Sequence, residues 1–295
     1  MDARASSAPI AGRSVGLFGM LTFAGIRRRG LALFCAGLLV LIAIACFFGP
    51  MISHSATSTG FSPLLPPNAT NPMGTDALGR DLLVRVLEGG QISLIAGLSV
   101  ALLCLSIAVA FGAIAGFFGG WTDIVLMRIA EIFQVVPAVI LALVSAALMG
   151  SSLTIVILIL AMTMWPQVAR IARAETLRIR ELGYVESARA VGFGPWRILW
   201  SDVLPNAFPP LLVATTMMAG RAILLESGLA FLGLGDANRP SWGALLNEAQ
   251  PHIQTAWWLT LYPGLAIFLV VWAINLLGDI WNDNLNPTLE RVKGL

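Results

Sequence analysis

The chain has 295 residues, of which 57% are hydrophobic and 12% are charged, and its mean hydropathy is +0.83. Soluble domains carry about 25% charged residues, so this composition excludes an ordinary soluble protein and predicts an integral membrane protein. The net charge of +2 gives no electrostatic reason to expect a nucleic-acid partner.

The first apolar run, residues 31–52, contains no charged residue and is about 33 Å long as a helix, enough to cross a bilayer. Three arginines, Arg27, Arg28 and Arg29, precede it and are expected to hold residues 1–30 in the cytoplasm as a tail. The run predicts an uncleaved first transmembrane helix.

Residues 53–91 are then an outer segment. Within it, Thr75 or Asp76 is placed to cap a short helix over residues 77–88, with Leu78 and Leu82 on its apolar side. We expect this helix to lie at the outer membrane interface.

The remaining membrane core is predicted over residues 92–286 and contains five spans. These are expected at residues 92–116, in two parts of the uncharged run 132–169 separated by Gly150-Ser151-Ser152, and at 207–232 and 256–278. We predict an all-α protein with six transmembrane helices and both termini in the cytoplasm. With this topology, thirteen basic residues lie in cytoplasmic segments and three lie outside, as the positive-inside rule favours. Residues 170–206 are then a cytoplasmic loop, 233–255 an outer loop and 287–295 a cytoplasmic tail.

The chain lacks the residues of a resident cofactor or an active site. Its one lysine, Lys293, lies near the C-terminus, so no phosphate-binding loop is present. The three cysteines, Cys35, Cys46 and Cys104, lie in apolar runs and are expected to be buried hydrophobic residues. His54 and His252 have no neighbouring ligand cluster, so no metal site is expected.

Residues 184–206 are predicted to form two short helices around a glycine turn. The first helix ends at Gly192, and the second begins at Pro195. Leu204-Pro205 is expected to end the second helix, whose residues Trp196, Leu199, Trp200 and Val203 follow helical spacing and form one apolar stripe. Spacing alone favours a membrane-surface connection, with protein docking as the alternative.

The same stretch resembles the EAA loop of ABC-transporter permeases. Glu186-Ser187-Ala188, Gly192 and Leu204-Pro205 match that pattern at the family's spacing, although Ser187 replaces alanine and Asp202 replaces isoleucine. Asp202 lies off the apolar stripe and is expected to face solvent or a basic residue of an ATPase.

Two further stretches resemble the dipeptide, oligopeptide and nickel importer subfamily. NPMGTDALGRD at residues 71–81 resembles PLGTDxLGRD, and ESGLAFLGLG at residues 226–235 resembles EASLSFLGLG. One predicted span precedes the first of these motifs. In this respect the chain is similar to the shorter of the subfamily's two permeases.

The resemblance implies a type I ABC importer permease in the bacterial cytoplasmic membrane, without enzymatic activity. Its implied partners are a second homologous permease, two ABC ATPase subunits that use ATP and Mg, an extracytoplasmic solute-binding protein and the lipid bilayer. It also implies an ATPase-coupling role for Glu186, Ser187, Ala188, Arg189, Gly192, Trp196, Arg197, Trp200, Leu204 and Pro205.

Three charged residues lie in or near the predicted spans and need polar surroundings. Glu131, Arg221 and Glu226 would each cost about 2.5–3.5 kcal/mol at a lipid-exposed helix centre, so they should face protein or water. Arg221 and Glu226 are possible translocation-path residues and are five apart, so they should not pair with each other. For Arg221, a carboxylate-bearing substrate and an acidic partner on the second permease remain alternatives.

The outer loop offers candidates for contact with a binding protein, namely Asp236, Arg239 and Trp242. Trp257-Trp258 is interpreted as an interfacial aromatic belt.

The resemblance leaves the cargo open among di- and oligopeptides, glutathione-like peptides and nickel complexes. An ion-gradient-driven secondary transporter is the alternative class, for which Glu131 and Glu226 are weak candidates. An intramembrane enzyme is disfavoured because no nucleophile or metal constellation is present.

Overall fold

The computed structural model describes residues 15–52, 60–236 and 238–285, and the regular structure within these ranges is helical. The predicted C-terminal tail (287–295) and His54 lie outside the described residues, as do the first fourteen residues of the predicted N-terminal tail. The helices are α1 (Val15–Ile52), α2 (Leu82–Ala108), α3 (Ile114–Phe118), α4 (Gly120–Val135), α5 (Ala138–Met149), α6 (Leu153–Arg180), α7 (Gly183–Ala190), α8 (Pro195–Ile198), α9 (Leu204–Phe231), α10 (Trp242–Ala249) and α11 (Trp258–Leu285).

Two of these helices are lengthened by π turns. Val109–Ala113 joins α2 to α3, and Leu199–Val203 joins α8 to α9. The results are two continuous helical rods of 37 residues each, Leu82–Phe118 and Pro195–Phe231.

Five helical segments are long and apolar enough to cross a membrane, and a sixth crossing is counted if α4 and α5 form one bent span. The bend is 72° and occurs at Pro137. Proline lacks an N–H and forces the preceding Val136 into an extended conformation, which breaks the helix there. The all-helical class is confirmed, and the third predicted span corresponds to two helices, α4 and α5, that meet at this bend.

Several predicted boundaries differ from the structure. The first helix already begins at Val15, and the third predicted span begins at Gly120, twelve residues before its predicted start at residue 132. Asp123 lies in the first turn of α4. Its charge is accepted there because the carboxylate pairs with Arg173 of α6, whose Nη2 is 2.5 Å from Oδ2. A paired charge is much cheaper to place on a packed helix than a free one.

The predicted short helix over residues 77–88 is wrong for residues 77–81, and residues 82–88 belong to the long helix α2. The chain is irregular up to Asp81, whose side chain caps α2 by accepting from the Leu83 N–H at 2.8 Å. Gly74 and Gly79 have positive φ values of 78° and 73°, which turn the chain, and a Cβ on Gly79 would overlap the carbonyl of Phe61. The helix of this region is instead the first part of the rod Leu82–Phe118.

The rod Leu82–Phe118 is the centre of the bundle and packs against α1, α6 and α9. Its crossing with α6 is close because two glycines face α6: a Cβ on Gly112 would lie 2.7 Å from Cβ of Ala172, and a Cβ on Gly116 would lie 2.6 Å from the Arg173 carbonyl. All three cysteines are buried and unbonded, as expected.

Replacing Gly112 with alanine should therefore destabilise the protein by about 1–3 kcal/mol, because the rod and α6 must separate to admit the methyl group. The matched control is Gly37→Ala on α1, where nothing lies within 4 Å of the new Cβ. The control should be neutral or slightly stabilising, since alanine favours the helix. Reversible unfolding in mixed micelles measures both, and equal effects of the two variants would contradict this account of the crossing.

Candidate functional site

The predicted coupling helix exists as α7, which follows α6 after a short turn. Val185 is buried and anchors α7 to the bundle, whereas Glu186 and Arg189 are exposed. The Tyr184 hydroxyl donates to the carbonyl of Asp202 at 3.3 Å, which ties the start of α7 to the base of α9. The charged side of α7 is therefore directed outward from a fixed position.

The C-terminus of α7 is a Schellman motif. The Gly192 N–H donates to the Arg189 carbonyl at 2.9 Å, and the Phe193 N–H donates to the Ala188 carbonyl at 3.2 Å. Gly192 has φ of +90°, as its place at the predicted helix end requires. Pro195 then occupies the first turn of α8, also as predicted.

The predicted apolar stripe is wrong in part. Leu199 and Val203 are buried, but Trp196 and Trp200 are 52% and 59% exposed. The stripe was derived from regular α-helical spacing, whereas residues Leu199–Val203 form a wider π turn that changes which residues share a face.

Leu204-Pro205 does not end the second helix, which continues from Pro195 to Phe231. The π turn accommodates Pro205, whose missing N–H would interrupt a regular α-helix. Asp202 is half-buried rather than fully exposed, and its carboxylate accepts from the Ser201 hydroxyl at 3.3 Å.

Arginines pack on phenylalanine rings beside α7. The Arg197 guanidinium lies 4.1 Å from the centroid of Phe193, and that of Arg189 lies 5.6 Å from the centroid of Phe117. Ser187 donates to the Gly183 carbonyl at 2.9 Å within α7, so its hydroxyl is satisfied locally. The region offers an exposed surface of mixed charged and apolar character.

A groove of about 780 Å³ lies between α6, α9 and α11. Arg221 of α9 is exposed there, and its Nη1 donates to Oε1 of Gln167 on α6 at 2.8 Å. The other charged residues of the groove, Glu175 and Arg178, pair with each other at 2.9 Å. Among the described residues that line it, the groove holds one positive charge without a matching carboxylate.

Glu226 lies elsewhere, and its assignment to the same path is wrong for the structure described. Its side chain is buried between α9 and α2, where Oε2 accepts from the Ser93 hydroxyl at 3.2 Å and from the Ser227 hydroxyl at 3.4 Å. These hydroxyls satisfy the carboxylate inside the protein. The expectation that Arg221 and Glu226 do not pair is confirmed.

A second, smaller groove of about 330 Å³ lies on the other side of α6, against α4. Glu131 lines it and pairs with Arg128 at 2.7 Å, and both side chains are exposed. The predicted intramembrane charge Glu131 is therefore neutralised within its own helix.

The predicted outer docking residues differ in their surroundings. Arg239 is exposed, and Asp236 accepts from the Leu153 N–H at the start of α6 at 3.4 Å. Trp242 is 1% exposed, and its Nε1 donates to the Val86 carbonyl at 2.8 Å. Trp242 is a core residue, so its docking assignment is wrong.

The two residues of the predicted aromatic belt, Trp257 and Trp258, also differ in exposure. Trp257 is exposed, but Trp258 is buried and its Nε1 donates to the Thr75 carbonyl at 3.2 Å. Trp258 therefore anchors the outer segment to α11.

An ion cluster that the sequence did not predict joins the segment before α2 to α10. Arg85 is 4% exposed, and its Nη1 contacts Oδ2 of Asp76 at 2.9 Å and Oε2 of Glu248 at 2.5 Å. Arg80 contacts the same Asp76 oxygen through Nε at 2.5 Å. The sequence feature that could have indicated this cluster is Arg85, which lies in an apolar stretch just after the motif that contains Asp76 and Arg80.

Comparison with known proteins agrees with this geometry. The family described as "Binding-protein-dependent transport system inner membrane component" matches residues 108–291. The chain is 40% identical over 225 residues to the glutathione transport system permease protein GsiD of Pectobacterium atrosepticum, covering 76% of this chain and 75% of that protein. It is 36% identical over 270 residues to the dipeptide transport system permease protein DppC of Bacillus subtilis, covering 90% and 84% respectively.

A solved structure shows the same fold. A chain of the inward-facing MetNI methionine ABC transporter superposes with a TM-score of 0.58 at 19% identity, covering 67% of this chain and 94% of that one. The fold is therefore that of a type I ABC importer.

This chain belongs to the inner membrane component family of binding-protein-dependent transport systems. It is a permease and not an enzyme, and it works with ATPase and binding-protein partners.

The two carboxylates of the ion cluster, Asp76 and Glu248, differ in burial. Both carboxylates contact Arg80 and Arg85, but Asp76 is buried and also accepts from the N–H groups of Leu78 and Arg80, whereas Glu248 is half exposed. Asp76→Ala should destabilise the protein by about 3 kcal/mol, and Glu248→Ala by about 1 kcal/mol because water replaces it. Unfolding in mixed micelles ranks the two, and a larger loss for Glu248→Ala would refute the assignment.

Proposed function

We propose that this chain forms half of the membrane channel of a peptide importer and receives the force of ATP hydrolysis through α7. The observation that carries the proposal is the outward-facing charged side of α7, held by Val185 and closed by the Schellman motif at Gly192. A surface that must transmit force benefits from such a fixed base.

The docking surface for the ATPase consists of α7 and residues 191–194. Glu186 and Arg189 form no ion pair with another described residue, and Val191 is 74% exposed. Exposed charge beside exposed apolar area suits a protein partner that supplies complementary charge. Two ABC ATPase subunits would bind ATP and Mg, since this chain has no phosphate-binding loop.

Trp196 and Trp200 are better assigned to the membrane interface than to the ATPase. They lie in the first turns of the rod Pro195–Phe231, and the Trp196 ring lies 5.0 Å from that of Phe118 at the end of the other rod. Exposed tryptophans at the ends of membrane-spanning helices are typical of the headgroup region.

A second homologous permease would complete the channel. The bent pair α4–α5 leaves a long apolar surface that includes Ile132, Val135 and Ile140, which are all exposed in the single chain. Part of this surface suits the partner permease and part suits lipid. The family description supports a location in the bacterial inner membrane, and the excess of arginine on the side of α7 supports a cytoplasmic position for α7.

The cargo we propose is a di- or oligopeptide, including glutathione-like peptides. The support comes from relatives at 36–40% identity whose names include dipeptide and glutathione transport. A secreted binding protein would deliver the peptide at the opposite face, where Arg239 and Asp236 lie near the outer ends of the helices.

The coupling role can be tested at Gly192. Gly192→Val should reduce peptide uptake per ATP hydrolysed several-fold in proteoliposomes that contain the complete transporter, because a β-branched residue at φ of +90° disturbs the link from α7 to α8. The matched control is Gly194→Val, two residues away, where φ is −64° and nothing lies within 4 Å of a new Cβ.

The control variant should retain coupled transport. Normal uptake and normal ATPase association in Gly192→Val would contradict the proposal. Loss of uptake in both variants would show that the loop is sensitive to any side chain and would remove the conformational argument.

A further inference from the structure

We propose that the groove between α6, α9 and α11 binds the carboxylate group of a transported solute, with Arg221 as its counter-ion and Gln167 as the residue that positions Arg221. This inference rests on the proposed function, because it assigns the chemical class of the cargo. It also assigns a selective site to the permease itself, in addition to any selection by a binding protein.

The position of Arg221 requires a polar neighbour. Arg221 is eighteenth of the 28 residues of α9, so it lies well inside the membrane-spanning part of the helix. A guanidinium there costs about 2.5–3.5 kcal/mol if it faces lipid. The groove, with a volume of about 780 Å³, provides a place where it can face water and solute instead.

The charge balance of the groove favours an anion. Glu175 and Arg178 neutralise each other, and Gln167 is uncharged, so the guanidinium of Arg221 is held without being neutralised by a described residue. Asp283, beside the groove residue Asn282, has a partner of its own. The remaining donors of Arg221 form a planar fork that matches a carboxylate in two hydrogen bonds.

The rest of the lining suits a cargo of variable side chains. Met217, Met218 and Val213 face the groove from α9. Methionine is flexible and adapts to differently shaped apolar groups. A fixed contact for a side-chain carboxylate next to an adaptable apolar wall matches acidic peptides whose other side chains differ in shape.

Arg221→Gln tests this assignment in proteoliposomes that contain the complete transporter. The measurement is the uptake ratio of an acidic dipeptide, Ala-Glu, to a basic one, Ala-Lys, under saturating binding protein. Wild type should favour Ala-Glu, and Arg221→Gln should lower the ratio roughly fivefold, the effect of one partly solvated charge contact. Arg221→Lys should keep most of the preference, because it keeps the charge.

The matched control is Arg128→Gln, which removes one arginine from the other groove and changes the net charge of the chain equally. Its uptake ratio should equal that of wild type. A ratio that falls equally in Arg128→Gln would show a general effect of chain charge and would overturn the proposal.

Chemical rescue separates charge from structure. Cys35, Cys46 and Cys104 are at most 2% exposed, so an Arg221→Cys variant offers one accessible thiol among the described residues. Modification with a cationic methanethiosulfonate should restore the preference for Ala-Glu, and an anionic reagent should reverse it. Equal effects of the two reagents would refute a charge-selective site.

The outcomes also separate this inference from the proposed function. If wild type imports neither dipeptide, the peptide cargo is wrong. If wild type imports both and Arg221→Gln leaves their ratio unchanged, the groove assignment alone is wrong. If Arg221→Gln prevents assembly of the two permeases, Arg221 pairs with an acidic residue of the second permease instead.

Discussion

A charged side chain on a membrane-spanning helix must be matched by another charge, by a hydrogen-bonding group, by water or by another protein, because lipid offers none of these. The bundle depends on how this requirement is met. Arg85 could not remain inside the first turns of α2 without Asp76 and Glu248, so the outer segment and α10 are both drawn to the same point. On the inner half, Arg173 and Asp123 join α6 to α4 in the same way.

In the proposed function, force from the ATPase enters at α7, and one helical rod connects α7 with α10. The rod Pro195–Phe231 begins next to α7 and ends in a second Schellman motif at Gly233, beside α10. Because the rod is helical throughout, a displacement of α7 would reach α10 through one continuous helix. Three of its prolines, Pro205, Pro209 and Pro210, lie in the half of the rod next to α7. They weaken its hydrogen bonding near the cytoplasmic end, so bending is concentrated there.

The sequence predicts the structure correctly where residues close together in the chain determine it. Gly192 and Pro195 act through their own φ values, and the Gly150 turn lies where two apolar runs must reverse. These effects need no knowledge of distant contacts. The number of helical crossings also follows from apolar run length, provided that the bend at Pro137 is counted within one of them.

The sequence does not predict the structure where a residue far away in the chain supplies the contact. Trp242 looked like an exposed loop residue, but the carbonyl of Val86, 156 positions away, receives its indole N–H. Residues 77–81 looked helical by spacing, but Asp76 turns its carboxylate back onto their backbone N–H groups. A pattern within one segment contains no information about which other segment completes it.

Arg221 and Glu226 show how far this limitation extends to function. They lie five residues apart on one helix, and a count of intramembrane charges treats them alike. Glu226 faces α2, where serine hydroxyls satisfy it, so it stabilises the contact between helices. Arg221 faces a groove, where the side-chain amide of Gln167 orients the guanidinium without neutralising its charge. The informative property is therefore the charge that remains after the described neighbours are counted, and at Arg221 that remaining charge is positive and accessible.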